Sequence, residues 1–241
     1  MEAFANSDIG KVRDMNQDSY YISDKDDKMK LYIVADGMGG YKGGEIASKL
    51  AIESSKNYII NNFDQIKKER DQIIELIKSA IEYANMVVYE KSKEVPELAG
   101  MGTTIDVCLI YSNRIYIGHI GDSRVYRLRK DFFRKLTVDD SYVEQLVKEG
   151  NITKEEAYNH PKKNMLTKAL GCTAFVEPTV LVKGFMKGDI LLMCTDGLTN
   201  MLKDDKICEI IKQNSEQASK ELVKKANEQG GYDNITAVII L

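Results

Sequence analysis

Four aspartates of this chain stand beside short apolar, strand-like stretches. Asp36 and Asp196 each precede a glycine, Asp122 follows Ile-Gly, and Asp233 comes directly before Asn234. An ionised carboxylate is strongly unfavourable in apolar surroundings unless its charge is compensated. A hard divalent cation is the simplest compensation, because Mg²⁺ and Mn²⁺ prefer oxygen ligands. The pattern therefore predicts a protein that binds metal through carboxylates.

Taken one at a time, the same aspartates are compatible with ordinary turns. Asp-Gly is a common hairpin signal, and the Asp233-Asn234 pair could bond nearby backbone groups at the start of a strand. Asp122 is expected to form a turn or to pair with Arg124, and Asp139 to be a solvated loop acid. No single motif decides between the metal site and the turn.

Other residues that could take part in chemistry are also ambiguous when read alone. Arg13 could bind a phosphate through its planar guanidinium group, or it could be a surface charge. The glycines of the 37–44 stretch match neither nucleotide-binding fingerprint. The two histidines, His119 and His160, suggest no nucleophile–base pair with a serine or cysteine.

Composition narrows the classes of protein to which the chain could belong. With 241 residues, 43% of them hydrophobic, and no Pro- or Gly/Ser-rich linker, a single domain over 1–241 is expected. A net charge of −3 argues against a general nucleic-acid binder, although five of the seven arginines fall between Arg114 and Arg134. No signal peptide, membrane span or Cys-x-x-Cys pair is visible, so a reduced, cytoplasmic protein without membrane partners is expected.

The order of elements predicts the α+β class. Apolar residues spaced by three and four indicate two long helices, through about 46–59 and 73–88, after a loop at 39–44. Residues 139–168 are expected to form a short helix and loops, and two further helices are predicted at about 204–213 and 216–228. A charged turn at 24–28 should join the first two strands. Alternating or clustered apolar residues predict strands at 19–23, 30–35, 104–111, 114–120, 124–129, 179–183, 190–194 and 235–241.

In order and spacing, the motifs together resemble those of the metal-dependent serine/threonine protein phosphatases, the PPM or type 2C family, in its compact bacterial form. The resemblance runs from about residue 6 to residue 241. The matching motifs are Ser7-Asp8 with Arg13 and Asn16-Gln17-Asp18, Val34-Ala35-Asp36-Gly37-Met38-Gly39-Gly40, Met101-Gly102-Thr103-Thr104, Gly121-Asp122-Ser123-Arg124, Leu136-Thr137 with Asp139, His160-Pro161 with Asn164 and Ala169-Leu170-Gly171, Thr195-Asp196-Gly197-Leu198, and Gly231 with Asp233-Asn234-Ile235-Thr236.

The resemblance implies a four-layer α-β-β-α sandwich, in which two antiparallel sheets pack face to face between helices. It also implies a centre of two Mn²⁺ or Mg²⁺ ions, with a weaker third position, at one end of the sandwich. Asp36 would bridge the two ions and the Gly37 carbonyl would bind one of them. Asp196 and Asp233 would hold the other ion, and Asp18 would support the centre.

The remaining roles follow from the same resemblance. Asp139 together with Asp196 matches the third metal position, and Arg13 would bind the substrate phosphate. Asn234 would lie behind the metal ligands. Residues from about 143 to 164 would form a mobile flap beside the site.

The activity implied is hydrolysis of phosphoserine and phosphothreonine in proteins by a water activated at the metal centre, opposing a bacterial-type Ser/Thr kinase. The expected protein is a cytoplasmic monomer whose partners are phosphoprotein substrates and that kinase. Two alternatives stay open: a binding module that recognises phosphoproteins without turnover, and an enzyme that uses the same centre on a small phosphate ester. The presence of Asp18, Asp36, Asp196 and Asp233 argues against the first alternative.

Overall fold

The computed structural model describes residues 1–27 and 29–241, and nothing is stated of the side chain of Tyr41. The predicted turn at 24–28 therefore lies partly outside the described residues, since Lys28 is not among them.

Two antiparallel sheets form the centre of the fold. The five-stranded sheet has the order β1-β11-β10-β7-β8, and the second has the order β2-β3-β5-β6-β9, with β4 paired to the end of β3. The strands are β1 (Ala3–Asp8), β2 (Asp18–Ile22), β3 (Lys30–Met38), β4 (Gly102–Thr103), β5 (Ile105–Tyr111), β6 (Arg114–Ile120), β7 (Arg124–Arg129), β8 (Phe132–Lys135), β9 (Thr179–Gly184), β10 (Ile190–Cys194) and β11 (Ile235–Ile240).

Helices cover the outer face of each sheet. The first two helices pack on the sheet that contains β3, and the last two pack on the sheet that contains β11. The helices are α1 (Gly40–Phe63), α2 (Arg70–Glu94), α3 (Tyr142–Lys148), α4 (Lys154–Tyr158), α5 (Asp196–Thr199), α6 (Asp204–Gln213) and α7 (Ala218–Glu228), with a 3-10 turn at Pro96–Leu98. None of the helices in the described part of the chain has both the length and the apolarity that a bilayer crossing requires.

The apolar pattern of β3 shows why the layers stack in this way. Successive side chains of a strand point to opposite faces of the sheet. Leu31 and Ile33 pack towards the α1/α2 layer, whereas Tyr32 and Val34 pack against the other sheet. Both faces of the strand are therefore buried, and its sequence reads as a continuous apolar run. The predicted α+β sandwich of four layers is confirmed.

Several details differ from the sequence prediction, among them the short elements β4, α4 and α5, which were not predicted. Strands β1 and β8 were not predicted, because Ala3–Asp8 carries polar residues and Phe132–Lys135 is only four residues long. The predicted loop at 39–44 is wrong, since α1 begins at Gly40. The glycines there permit close packing rather than a turn: a Cβ on Gly44 would lie 2.7 Å from the backbone of Gly37.

Candidate active site

The aspartates of the sequence motifs meet at one end of the sandwich because strands from both sheets end there. Asp18 and Asp36 are direct cross-strand partners at the ends of β2 and β3. Asp196 follows β10 at the start of α5, and Asp233 precedes β11, which pairs with β10. Asp122 lies in the bend between β6 and β7.

Burial, followed by mutual repulsion, raises the pKa values of Asp18, Asp36, Asp122 and Asp196. Burial is the main cause for Asp36, and repulsion by Asp18 and Asp196 follows, so its pKa lies well above the ordinary value. Burial likewise raises the pKa of Asp18 to about 7, with further contributions from Asp196 and Asp233. The pKa of Asp122 is raised by burial and then by Asp196. Without a compensating charge, this end of the sandwich disfavours the ionised state of its own acids.

Asp18 is held by two hydroxyl groups from the opposite sheet. Thr195 Oγ1 and Thr236 Oγ1 donate to its Oδ2 atom at 2.8 and 2.7 Å. Its Oδ1 atom is buried and has no hydrogen-bond partner among the described residues. A buried oxygen of this kind calls for a further donor, an ordered water or a cation.

The backbone around Asp36 is fixed, while its side chain lines the cavity. The Asp36 N–H donates to Thr104 Oγ1 at 2.9 Å, and its carbonyl accepts from Thr104 N–H and from Thr103 Oγ1. Position 37 requires glycine, because a Cβ there would lie 2.0 Å from the Gly44 carbonyl oxygen. The chain can therefore turn tightly past α1 at the point where the Gly37 carbonyl is expected to bind metal.

Asp196 is oriented by Asn200, and Asp233 by Arg13 and by the Asn234 N–H, which donates to Asp233 Oδ1 at 2.9 Å. Asn200 Nδ2 donates to Asp196 Oδ2 at 2.9 Å, and Arg13 Nη2 donates to Asp233 Oδ2 at 2.8 Å. This hydrogen bond raises the pKa of Arg13, whose side chain is 53% exposed. Arg13 therefore stays charged at the rim of the site, with part of its guanidinium group open to a ligand.

Asn234 organises the loop that carries Arg13. Its Oδ1 atom accepts from the Gln17 N–H at 2.9 Å, and its Nδ2 group donates to the carbonyls of Ile9 and Met15, both at 2.9 Å. One buried amide thus fixes three points of the 9–17 segment beside Asp233. Its predicted place behind the metal ligands stays a prediction.

A cavity of about 430 Å³ lies between these residues. Arg13, Asp36, Gly37, Asp122, Asp196 and Asp233 all contribute to its wall, whereas Asp18 lies behind it. Among the described residues, no three acidic, histidine or cysteine side chains are grouped tightly enough to chelate one ion on their own. The donor set nevertheless fits hard cations: it consists of oxygen atoms, one buried carboxylate oxygen is unpartnered, and the carboxylates repel one another.

The prediction for Asp139 is not supported by its contacts. Arg124 donates to both Asp139 oxygens, with the shortest distance 2.7 Å, and Lys135 Nζ donates to Oδ1 at 2.9 Å. Burial opposes the ionisation of Asp139, but these two cations outweigh it and lower its pKa. Asp139 is therefore neither a solvated loop acid nor a carboxylate with free oxygens.

Asp122 and Asp139 have different surroundings. Of the two roles expected for Asp122, a turn or a pair with Arg124, the structure shows the turn, because Asp122 lies in the bend between β6 and β7 and Arg124 bonds to Asp139. Asp122 lines the same cavity as Asp196, and burial and then Asp196 raise its pKa. Asp122, rather than Asp139, thus shares this cavity with Asp196.

Sequence reasoning missed the residues that hold the acids in place. Asn200 had a local signal, since it lies four positions after Asp196, a spacing that brings two side chains together on a helical turn. Thr195 adjoins Asp196 but bonds to Asp18. Thr104 and Thr236 contact partners 68 and 218 positions away, and no short-range pattern could reveal them.

Comparison with known proteins identifies the family. The family model for protein phosphatase 2C matches residues 11–231. This chain belongs to the protein phosphatase 2C family. It is 36% identical to the serine/threonine phosphatase Stp of Listeria innocua over 242 residues, which covers 100% of this chain and 95% of that protein.

Solved structures of the protein phosphatase 2C family share the fold. The crystal structure of Stp1 from Staphylococcus aureus has a TM-score of 0.90 and 32% identity, covering 99% of this chain and 93% of that one. The catalytic domain of PstP, solved in complex with two manganese ions, has a TM-score of 0.86 and 34% identity over 99% of this chain and 96% of that one. The predicted family, fold and enzyme class, a protein-serine/threonine phosphatase, are confirmed, and the predicted two-ion cofactor agrees with the PstP structure.

A substitution at Gly37 tests the close approach of the chain at the site. We expect Gly37→Ala to lower kcat/KM for a phosphothreonine peptide by roughly a hundredfold, because a displacement of about 1 Å in the catalytic geometry is sufficient for such a loss. Gly184→Ala is the matched control, since a Cβ at that position meets nothing within 4 Å. Equal activity of the two variants would contradict the requirement for glycine at position 37.

The raised pKa values predict an unusual pH dependence for metal-free protein. The folded state binds protons on Asp18 and its neighbours that the unfolded chain has released, because Asp18 has a pKa of about 7 in the fold against an ordinary value of 3.8. Stability of the metal-free protein should therefore fall as pH rises from 6 to 8. Saturating Mn²⁺ should remove this fall, because metal binding favours the deprotonated ligands.

Thermal melts at pH 6 and pH 8, with EDTA or with Mn²⁺, measure the effect. Burial opposes the charge of His119, but its contact with Asp106 outweighs burial and raises its pKa. His119 therefore lowers stability as pH rises in the metal-free and in the Mn²⁺-bound protein alike. The difference between the pH dependence of the melting temperature with EDTA and that with Mn²⁺ thus isolates the effect of the carboxylates. If the melting temperature of the metal-free protein rises between pH 6 and pH 8, the raised pKa values of the carboxylates are contradicted.

Proposed function

We propose that this chain, acting as a single domain, is a metal-dependent phosphatase that hydrolyses phosphoserine and phosphothreonine in proteins. One observation carries the proposal: partly buried carboxylates from both sheets surround a cavity whose rim holds the charged Arg13. A site of this kind can gather cations and receive a phosphate on the same side. The relatives named serine/threonine phosphatases support the substrate class.

The residues that would hold two Mn²⁺ or Mg²⁺ ions are Asp36 with the Gly37 carbonyl, and Asp196 with Asp233. Asp18 supports them from behind through its unpartnered oxygen. We place Asp122 with Asp196 at a weaker third position, instead of the Asp139 expected from the sequence. When bound, a pair of divalent ions supplies Lewis acidity, which lowers the pKa of water and offsets charge on phosphoryl oxygens.

The chain's own residues bind and orient the substrate. Arg13 can donate in bidentate fashion to phosphoryl oxygens, and charge-assisted bonds of this geometry fix both position and direction. Asp233 holds the Arg13 guanidinium in place, and Asn234 fixes the loop on which Arg13 lies. In-line displacement needs positioning and charge stabilisation more than a covalent nucleophile.

The cellular setting belongs to the same proposal. Phosphoprotein substrates follow from the substrate class, and a Ser/Thr kinase would supply them with phosphate. We propose that the chain acts in the cytoplasm as a monomer.

Hydrolysis of a phosphothreonine peptide with Mn²⁺ and with EDTA tests the proposal. We expect turnover that requires metal and falls by about 100- to 1000-fold in Asp36→Asn, because removal of one preorganised electrostatic contact costs about 10²–10³ in kcat. Metal-saturated protein that binds the peptide without releasing phosphate would instead establish the binding module. Turnover of small esters with none of the peptide would establish the small-substrate enzyme.

Two isosteric variants separate the roles of Asp122 and Asp139. Asp122→Asn should raise the Mn²⁺ concentration for half-maximal activity about tenfold, since loss of one ligand contact typically costs about 1.4 kcal/mol or more. Asp139→Asn should instead lower the free energy of unfolding by about 2 kcal/mol, because Arg124 loses a charged hydrogen-bond partner. Manganese titrations and urea unfolding of both variants give the answer. The reverse pattern would restore Asp139 to the metal site.

A further inference from the structure

A second and larger cavity opens beside the metal cavity. It has a volume of about 630 Å³ and lies between the β7–β8 hairpin and the segment of helices α3 and α4. Asp122, Asn164 and Asp196 line both cavities, so the two share a wall. A substrate chain whose phosphate lies in the metal cavity therefore has a direct path into the second cavity, which we call the flap cavity.

The part of the flap cavity away from the metal cavity has more basic than acidic side chains. Apart from the two aspartates that it shares with the metal cavity, its wall has five basic and three acidic side chains. Asp139 is already bonded by two of the cations, Arg124 and Lys135. Asp204 accepts a hydrogen bond from the Tyr126 hydroxyl. Most of the negative charge in the wall is therefore committed to neighbouring groups.

Three cations of the wall have no carboxylate partner among the described residues: Arg134, Lys154 and Lys163. Lys163 is half-buried, and its ammonium group lies 5.3 Å from the centre of the Tyr158 ring. Such a contact holds the ammonium group at the wall without neutralising it. Two of these cations come from the flap segment and one comes from β8, so they face the cavity from opposite sides.

Arg134 is also part of an unfavourable pair. It lies directly opposite Arg127 in the β7–β8 register, and like charges at this position destabilise a sheet. Burial lowers the pKa of Arg127, and Arg129 and Arg134 lower it further. Asp189 neutralises Arg129 but does not pair with Arg134. An anionic ligand beside Arg134 would relieve this repulsion.

We propose that the flap cavity binds a second anionic group of the phosphoprotein substrate, next to the residue that is dephosphorylated. The group is a carboxylate of Asp or Glu, or a second phosphate, since lysine and arginine side chains bind both. This inference rests on the proposed function. It makes the enzyme selective for phosphosites in acidic surroundings, with Arg134 and Lys163 as the specificity residues.

Matched phosphothreonine peptides test the inference. One series is neutral around the phosphothreonine, a second has a single Glu at successive flanking positions, and a third has a non-hydrolysable phosphonate at those positions. For the best position, we expect kcat/KM to exceed that of the neutral peptide about fivefold, as a few partly exposed ion pairs allow. In the Arg134→Gln/Lys163→Gln double variant, this ratio should fall to about one.

Lys162→Gln is the matched control, because Lys162 is an exposed flap lysine that lies over the Tyr142 ring and outside the cavity wall. It should keep the wild-type ratio. A preference for the Glu series identifies a carboxylate ligand, and a preference for the phosphonate series alone identifies a phosphate. A ratio of one for every flanking position in the wild type, or a preference that survives in the double variant, overturns the inference.

Binding of the dephosphorylated product peptides, measured by fluorescence anisotropy, separates this inference from the proposed function. Tighter binding of acidic than of neutral products, lost in the double variant, supports the subsite even if no peptide is hydrolysed. Equal affinities overturn it even if all peptides are hydrolysed. Thermal melts confirm that each variant is folded.

Discussion

Repulsion among buried carboxylates is the constraint on which the site depends. The sandwich brings five aspartates to one end, and burial together with mutual repulsion raises the pKa of Asp36, Asp18 and Asp122. Such an arrangement is unstable as a set of free anions and favourable around cations. The fold therefore holds charges that it does not itself neutralise. Packing of the apolar layers on either side of the sheets offsets the free-energy cost of this arrangement.

Neutral hydrogen bonds make this concentration of charge possible. Hydroxyl groups of Thr195 and Thr236 hold Asp18, and Asn200 holds Asp196, without cancelling the charge of either acid. Asp139 shows the contrast, because Arg124 and Lys135 neutralise it completely. The acids of the site differ from this structural ion pair in the type of partner. This distinction explains why Asp122, rather than Asp139, belongs to the metal cavity.

The sequence allowed the family, the four-layer fold and most of the acids to be predicted, because these depend on local motifs and on strand and helix periodicity. The sequence prediction failed for elements and residues whose place depends on contacts between distant positions of the chain. Strand β1 has little apolar signal and exists because it pairs along β11. Asp139 was assigned by its place in a motif, whereas its ion pair with Arg124 depends on how β7 and the following segment pack. Glycines at 39–44 suggested a loop, because close backbone packing leaves the same sequence signature.

The contacts of Asp18 and Asn234 also fix the order in which the site can form during synthesis. Asp18 bonds to Thr236, and Asn234 bonds to Gln17, so the two halves of each contact are more than two hundred positions apart. A nascent chain that has emerged from the ribosome only as far as β10 has Arg13 and Asp36 but lacks the strand that aligns them. The site is therefore incomplete until β11 has paired with β1 and β10.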